Sequence, residues 1–261
     1  MSLWNVEKHL QIKKVNSPIL IAGLPGIGNV GKIAVDFMQE QLKSKQLYSF
    51  FSHRLPHSVF VNEQSMVELP KIELRYAKLK KKDLLFLIGD VQPIDEESCY
   101  EFCEKVLDIF QEAKGYEIIT LGGIGLRTVP KEPKVYCTAN SKSIIKRYKN
   151  SANINPKVYG VVGPIIGVSG LLLGLAGMRG IDAICLLAET YGHPMYIGLK
   201  EAEKLIKILD KKFSLNLNMK NLQKEIEAVE SQFKDIDALK KVPESKYLKK
   251  LRQYKETNYI G

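Results

Sequence analysis

Several absences in the sequence exclude special classes of protein. Its four cysteines form no Cys-x-x-Cys pair, and Cys99 and Cys103 have no nearby histidine or second cysteine pair to complete a metal site. The first ten residues lack the apolar centre of a signal peptide. The longest apolar stretch, residues 158–178, is interrupted by glycines and a proline, so it does not predict a membrane span. We predict a cytosolic protein with reduced thiols, no metal and no cofactor.

Positive charge is concentrated near the end of the sequence. The formal net charge is +10, and residues 240–261 hold seven basic and two acidic side chains, so this tail carries half of the excess. A basic tail is typical of proteins that meet an acidic surface. The tail lacks the dense alternation of aromatic and basic residues that stacks on nucleic acid, which argues against that partner.

The hydrophobic pattern indicates an α/β fold. Short buried apolar runs, typical of parallel strands, alternate with stretches of helical periodicity. We therefore expect a three-layer sandwich with a mostly parallel sheet and helices on both faces, and an antiparallel extension between residues 59 and 79. The predicted strands are 18–23, 47–51, 83–90, 116–125, 134–140, 157–164 and 181–189, and the predicted helices include 29–43, 95–113 and 167–180.

Ligands of such sheets bind beyond the carboxyl ends of the parallel strands. Four glycine-rich segments are expected there, around residues 26–31, 122–128, 163–170 and 189–194, and they would line a shallow pocket with backbone N–H groups. The polar candidates for chemistry at this edge are Asp90, Arg127, Ser169, Glu189, Tyr191 and His193. A triad of Ser169, His193 and Asp90 is disfavoured because Leu171 replaces the second glycine of the nucleophile elbow.

The segment GLPGIGNVGK, residues 23–32, fits two phosphate-binding templates incompletely. Gly26, Gly28 and Gly31 fit a dinucleotide fingerprint, and Gly26, Gly31 and Lys32 fit a P-loop. The P-loop needs a hydroxyl for magnesium after the lysine, and residue 33 is isoleucine.

The dinucleotide fingerprint needs an acidic residue after the second strand. The segment SHRLPHS follows residues 47–51 and has none, although Arg54 suits a 2′-phosphate. Three interpretations stay open for residues 23–32: a tight strand-to-helix turn, an anion loop formed by Gly26, Gly28, Gly31 and Lys32, or a backbone surface for a protein partner.

The composition changes after residue 212, which predicts a core domain at 1–213 and an amphipathic helix with a basic tail at 214–261. An apolar stripe along this helix has spacings of 4, 3, 4 and 3 residues, typical of a coiled-coil seam. We predict that it packs on the body of the protein or on another subunit. The stripe consists of Leu222, Ile226, Val229, Phe233 and Ile236.

Three segments together resemble the proteasome assembly chaperone family, in particular its archaeal homologues. They are ILIAGLPGIGNVGKIAVDFM (19–38), GVVGPIIGVSGLLLGLAGMRGIDAICLLAETYG (160–192), and the helix with its short tail. The resemblance implies a nucleoside-phosphorylase-like sandwich and a non-enzymatic homo-oligomer that contacts proteasome α-subunits or another ring-shaped complex. The alternative is a nucleotide- or nucleoside-binding enzyme that uses the glycine-rich loops.

The resemblance also directs attention to the last residues. Proteins of this kind dock through a terminal hydrophobic residue, a tyrosine and a final residue, whose carboxylate pairs with a pocket lysine. Here the sequence reads Asn258, Tyr259, Ile260, Gly261, so the tyrosine is third from the end. Tyr259, Ile260 and Gly261 are the predicted partner-binding residues.

Deletion of residues 258–261 tests this docking role. We expect the deletion to reduce recovery of proteasome α-subunits in a pull-down, because it removes the apolar anchor and the tyrosine hydroxyl together. Equal recovery with the full chain and the deletion variant would refute the role.

Overall fold

The computed structural model describes residues 2–12, 15–80, 82–149, 154–160, 162–224 and 226–227. The chain divides into two units, Met1–Asn218 and Met219–Gly261. In the second unit the described residues 220–224 and 226–227 are helical. In the first unit the strands are β1 Asn5–Lys8, β2 Ile19–Ala22, β3 Lys45–Phe51, β4 Phe60–Val61, β5 Val67–Glu68, β6 Ile72–Ala77, β7 Leu84–Gly89, β8 Glu117–Leu126, β9 Val135–Ala139 and β10 Ala183–Tyr191. The helices are α1 Val30–Gln41, α2 Glu96–Glu112, α3 Lys142–Lys149, α4 Val168–Met178 and α5 Leu199–Phe213.

One eight-stranded sheet organises the first unit, in the order β1-β3-β6-β7-β2-β8-β10-β9. The four neighbouring strands β7, β2, β8 and β10 are parallel. The other pairings, β1 with β3, β3 with β6, β6 with β7 and β9 with β10, are antiparallel. The predicted α/β class is confirmed, but the expectation of a mostly parallel sheet is wrong because antiparallel strands extend the parallel centre on both sides.

Helices cover both faces of the sheet. The side chains of β2 alternate between them, since Leu20 and Ala22 belong to the core that includes α2 and α4, whereas Ile19 and Ile21 do not. On the opposite face α1 contacts α5 and the sheet. The apolar periodicity of α1 and α2 predicted this arrangement, because each helix turns one buried stripe toward the strands.

Two other predicted elements differ from the structure. The glycine-rich loop expected at 122–128 begins only after Leu126, because the predicted strand 116–125 continues as β8, which pairs with β10 as far as Leu126 and Tyr191. Residues 157–164 do not form a ladder strand in their described part, where Tyr159 and Val162 make only an isolated bridge. In the apolar stretch at 158–178 the described residues 158–160 and 162–167 are irregular and α4 follows them. None of the helices in the described ranges is long and apolar enough to span a bilayer.

Two glycines allow α1 to approach the sheet closely. A Cβ on Gly31 would overlap the backbone carbonyl of Leu121 in β8, and a Cβ on Gly23 would overlap the carbonyl of Gly31. These contacts are backbone against backbone, so no rotamer change can make room for a side chain. The glycines after β2 are thus required by helix-on-sheet packing.

Gly31→Ala and Gly26→Ala form a matched pair for this packing. We expect Gly31→Ala to lower the free energy of unfolding by about 1–3 kcal/mol, because the added methyl group meets Leu121. Gly26 is extended, and the nearest atom to its added Cβ, beyond its chain neighbours, is 4.0 Å away. Gly26→Ala should therefore change the stability by less than about 1 kcal/mol. Equal losses in urea denaturation would contradict the packing role of Gly31.

Candidate functional site

The carboxyl edge of the sheet, where the four parallel strands end, contains a cavity of about 500 Å³. Three glycine-containing segments line it: residues 24–27 after β2, 121–125 at the end of β8, and 162–166 before α4. Leu24, Ile165 and Leu187 supply apolar walls. The structure thus brings together three of the four glycine-rich segments that the sequence placed at this edge.

The four predicted anion-loop residues have different positions. Gly26 and Gly31 line the cavity, whereas Gly28 and Lys32 do not. Gly28 has a φ of +62°, and a Cβ there would lie 2.7 Å from the Thr190 hydroxyl oxygen. Its carbonyl accepts a 2.8 Å hydrogen bond from the Gly198 N–H, which ties the loop to the start of α5. These contacts give Gly28 a conformational and packing role.

The ammonium group of Lys32 is held by protein groups. Its Nζ donates to the Gly89 carbonyl at 2.9 Å and lies 2.9 Å from the Asp36 carboxylate. Burial raises the pKa of Asp36, and the nearby Lys32 charge opposes that rise. Lys32 therefore joins α1 to the end of β7, and its position gives no support to a phosphate contact in the cavity. The anion-loop role of these residues stays a prediction.

Three of the polar candidates for chemistry form hydrogen bonds with different protein groups. The Asp90 carboxylate accepts from the Lys71 N–H at 3.0 Å, and Glu189 accepts from the Tyr136 hydroxyl at 3.0 Å. His193 Nδ1 accepts from a backbone N–H at 3.2 Å, as expected for a loop histidine. Ser169 lines the cavity, and no described hydrogen bond joins it to His193 or Asp90. In the described ranges there is also no cluster of three potential metal ligands.

Exposed apolar side chains are concentrated at the carboxyl edge. Among the described residues, the exposed large hydrophobic side chains outside this edge are Tyr100, Tyr116 and Met178. All the others lie in connections between elements of the sheet and its helices, namely β2 to α1, β3 to β6, β7 to α2, β8 to β9, α3 to α4 and β10 to α5. We call this set the apolar edge; it comprises Ile27, Val59, Phe60, Val61, Met66, Val67, Leu69, Ile94, Val129, Tyr159, Ile166, Met195 and Ile197.

A two-stranded hairpin supplies the largest part of the apolar edge. β4 and β5 pair antiparallel within the connection from β3 to β6. Phe50 of β3 is opposite Ile72 of β6, and Ile72 is opposite Gly89 at the end of β7, so this connection leaves the sheet at its carboxyl edge. Strands were predicted here from the sequence, but their exposure was not. The sequence feature that distinguishes them from half-buried strands is the consecutive apolar triplet at residues 59–61, because a half-buried strand alternates apolar and polar residues.

A buried carboxyl group next to the Gly28 loop was also missed. Glu201, in the first turn of α5, is 1% exposed and accepts a 3.1 Å hydrogen bond from the Tyr196 hydroxyl. Burial raises the pKa of Glu201 above its ordinary value of 4.5. This carboxyl group is therefore more readily protonated in the folded protein than in the unfolded chain.

The predicted tail and stripe residues fall mostly outside the described part of the chain. Val229, Phe233, Ile236, Tyr259, Ile260 and Gly261 lie there. Leu222 and Ile226 are described and are 2% and 8% exposed in the single chain, so both side chains are already covered. A role for the stripe in subunit packing stays a prediction.

The family of the chain follows from comparison with known proteins. The model of the PAC2 family matches residues 20–237, and the chain belongs to this family. It is 31% identical over 233 residues to uncharacterized protein MJ1210 of Methanocaldococcus jannaschii, with 89% of this chain and 87% of the relative covered.

Solved structures give the same assignment. PbaB of Pyrococcus furiosus, an archaeal proteasome activator, matches with a TM-score of 0.83 and 30% identity over 91% of this chain and all of the other. PbaA of the same organism, an archaeal homologue of proteasome-assembly chaperone, matches with a TM-score of 0.72 and 24% identity, covering 98% and 99% of the two chains. The family resemblance predicted from sequence is confirmed.

Glu201→Gln tests the buried carboxyl group by pH dependence. A raised folded-state pKa means that the stabilising contribution is complete below about pH 4.5 and is lost as the pH rises through the folded-state pKa. Each unit of elevation corresponds to about 1.4 kcal/mol at high pH. Because glutamine cannot ionise, we expect the Tm of the variant, relative to the natural chain, to increase from pH 4.5 to pH 8.

Glu203→Gln is the control, since Glu203 lies on the same helix in a 2.7 Å ion pair with Lys207. The difference in Tm between Glu203→Gln and the natural chain should not increase from pH 4.5 to pH 8. A constant difference between Glu201→Gln and the natural chain across the pH series would show that the Glu201 proton does not contribute.

Proposed function

We propose that this chain is a non-enzymatic, homo-oligomeric interaction protein of the cytosol that binds proteasome α-subunits or another ring-shaped complex. Membership of the PAC2 family supports this proposal. So does the likeness to PbaB, which is described as a proteasome activator and is 30% identical. The proposal requires no cofactor, metal or nucleic acid.

The apolar edge is the observation that carries the proposal. Large apolar side chains that are exposed together on one part of a protein surface mark sites of protein contact. Here Val61, Met66 and Val67 of the hairpin are 62–69% exposed, and Ile166 is 85% exposed. Burial of such side chains stabilises an interface by about 25 cal/mol per Å² of apolar surface removed from water. A protein partner at this edge therefore has a physical basis.

The apolar edge and the tail serve different parts of the proposed function. The edge belongs to the well-packed first unit and suits a large contact between folded surfaces. Tyr259, Ile260 and Gly261, with the basic residues before them, suit insertion into a pocket of an acidic partner. We assign subunit contact to the edge and partner docking to the tail.

The alternative function, a nucleotide- or nucleoside-binding enzyme on a nucleoside-phosphorylase-like sheet, is less well supported. Its loop would need Lys32 free to reach a phosphate, and that ammonium is bonded to Gly89 and Asp36. Residue 33 supplies no hydroxyl for magnesium. The cavity at the carboxyl edge is lined mainly by apolar side chains and glycine backbone, and this lining suits a protein surface better than charged substrates.

The mass of the purified protein in solution, alone and mixed with proteasome α-subunits, tests the proposal. We expect a discrete oligomer whose mass increases on mixing, measured by light scattering after size exclusion. A monomer whose mass does not change with α-subunits would refute both parts of the proposed function.

Ile166→Glu and Met178→Glu locate the subunit contact. Both side chains are 85% exposed, but Ile166 lies on the apolar edge and Met178 ends α4 at the opposite edge of the sheet. We expect Ile166→Glu to weaken self-association by about tenfold or more, because a charge would be buried in an apolar contact. Met178→Glu should leave it unchanged. The assignment fails if both variants, with Tm values like that of the natural chain, assemble equally well.

A further inference from the structure

A second cavity lies at the amino edge of the sheet, where the parallel strands begin. It has a volume of about 570 Å³, within the usual range of small-ligand pockets. The first residues of β2, β7 and β8 form its inner wall, and residues 212–216, the end of α5 and the segment that follows it, form the rim. The proposed protein contacts use the other edge and the tail, so they leave this cavity unassigned.

Basic side chains predominate around this cavity. Four cations line it, Lys80, Lys82, Arg147 and Lys212, against a single lining carboxylate, Glu117. Glu117 is 3% exposed and already has two partners: it accepts from the Tyr148 hydroxyl at 2.8 Å and pairs with Arg147 at 3.2 Å. Arg147 also pairs with Asp182 at 2.8 Å. Four cations thus lie near two carboxylates, Glu117 and Asp182, so positive charge is in excess around the cavity.

The lysines lie against aromatic rings. Lys82 Nζ is over the Tyr116 ring, 2.6 Å from its centroid, and Lys212 Nζ is 3.7 Å from the centroid of the Tyr148 ring. Within the described ranges, no carboxylate oxygen lies within 4.0 Å of the ammonium groups of Lys80 or Lys82. Burial lowers the pKa of Lys82 and of Lys212; the Glu117 carboxylate opposes this shift, and the Arg147 charge adds to it. A bound anion would place a further negative charge beside these ammonium groups.

The remaining wall of the cavity is apolar. Leu79, Leu84 and Phe213 line it, together with the half-exposed ring of Tyr116. Inorganic phosphate would contact only the basic part of such a surface. A ligand with an apolar body would also remove these side chains from water.

We infer that the amino-edge cavity is a binding site for a small organic anion, in which a carboxylate or phosphate pairs with Lys82 and Lys212 and an aromatic or aliphatic body packs against Tyr116 and Phe213. The inference is independent of the proposed function, because none of these residues belongs to the apolar edge or the tail.

Calorimetric titration with phenyl phosphate and with phenylacetate tests the site on the full chain. We expect saturable binding of at least one of them, tighter than that of inorganic phosphate and absent for phenol, since both the charge and the ring are required. Comparison of the two anions distinguishes a phosphate ligand from a carboxylate ligand. The absence of saturable heat with both anions at concentrations up to 10 mM, about 100 times a Kd of about 0.1 mM, would overturn the inference.

Two variants and a matched control locate the binding. Lys82→Met and Lys212→Met should each raise the Kd by about tenfold or more, because each removes a charge-assisted contact. Lys211→Met is the control, since Lys211 is the exposed neighbour of Lys212 in the last turn of α5 and does not line the cavity. Equal affinity in all three variants, with their Tm values unchanged, would overturn the location. Should one variant unfold, the other still decides the outcome.

Discussion

The close contact between α1 and β8 determines the rest of the carboxyl edge. At Gly31 the backbone of α1 lies against the carbonyl of Leu121, and at Gly23 the end of β2 lies against the carbonyl of Gly31. These two contacts fix the course of the connection between β2 and α1. Gly28 then meets Thr190 of β10 and accepts the hydrogen bond from Gly198. The segment that resembles a phosphate loop is thus a joint that holds β2, α1, β8 and β10 together. Glycine is needed at Gly23 and Gly31 because backbone atoms occupy the space that a Cβ would take, and at Gly28 because φ is +62° and the Thr190 side chain lies close.

The two edges of the sheet differ in chemistry because they receive different ends of the helices. Helices that follow parallel strands run back across the sheet, so their C-terminal ends reach the amino edge. Basic residues stabilise that end of a helix dipole, and the last turn of α5, which follows the parallel strand β10, supplies Lys212. Arg147 comes from the last turn of α3, which follows the antiparallel strand β9. The carboxyl edge receives helix beginnings and long connections instead, and these connections carry the exposed apolar side chains. Charge and apolar surface are therefore separated along the strand direction.

Sequence patterns predicted the buried centre of the fold well and its periphery poorly. The continuous apolar runs of β2, β7 and β10 are buried on both faces, and burial of this kind leaves a local signature. The outer strands β3 and β9 were also located from the sequence, but their antiparallel pairing was not predicted because it is decided by tertiary contact. Gly122 and Gly123 belong to the predicted strand 116–125, and a Cβ on Gly123 would lie 2.5 Å from the carbonyl oxygen of Ile27. Neither β1 nor α5 was predicted, since packing determines their structure more than any local signal does.

The functional surfaces were the least predictable part because apolar residues suggest a buried core wherever they occur. Ile166 and the hairpin triplet at 59–61 have the composition of buried strands, and only the sheet topology shows that they are exposed beyond its carboxyl edge. The lysines of the amino edge also carry no local sequence pattern. Lys82 and Lys212 are 130 positions apart, and they line one cavity because the start of β7 and the end of α5 lie at the same edge of the sheet. Because the two proposed surfaces share no residue, the proposed ligand at one edge would leave the other edge open to the proposed protein contact. Any effect of one on the other would have to pass through the strands that join them.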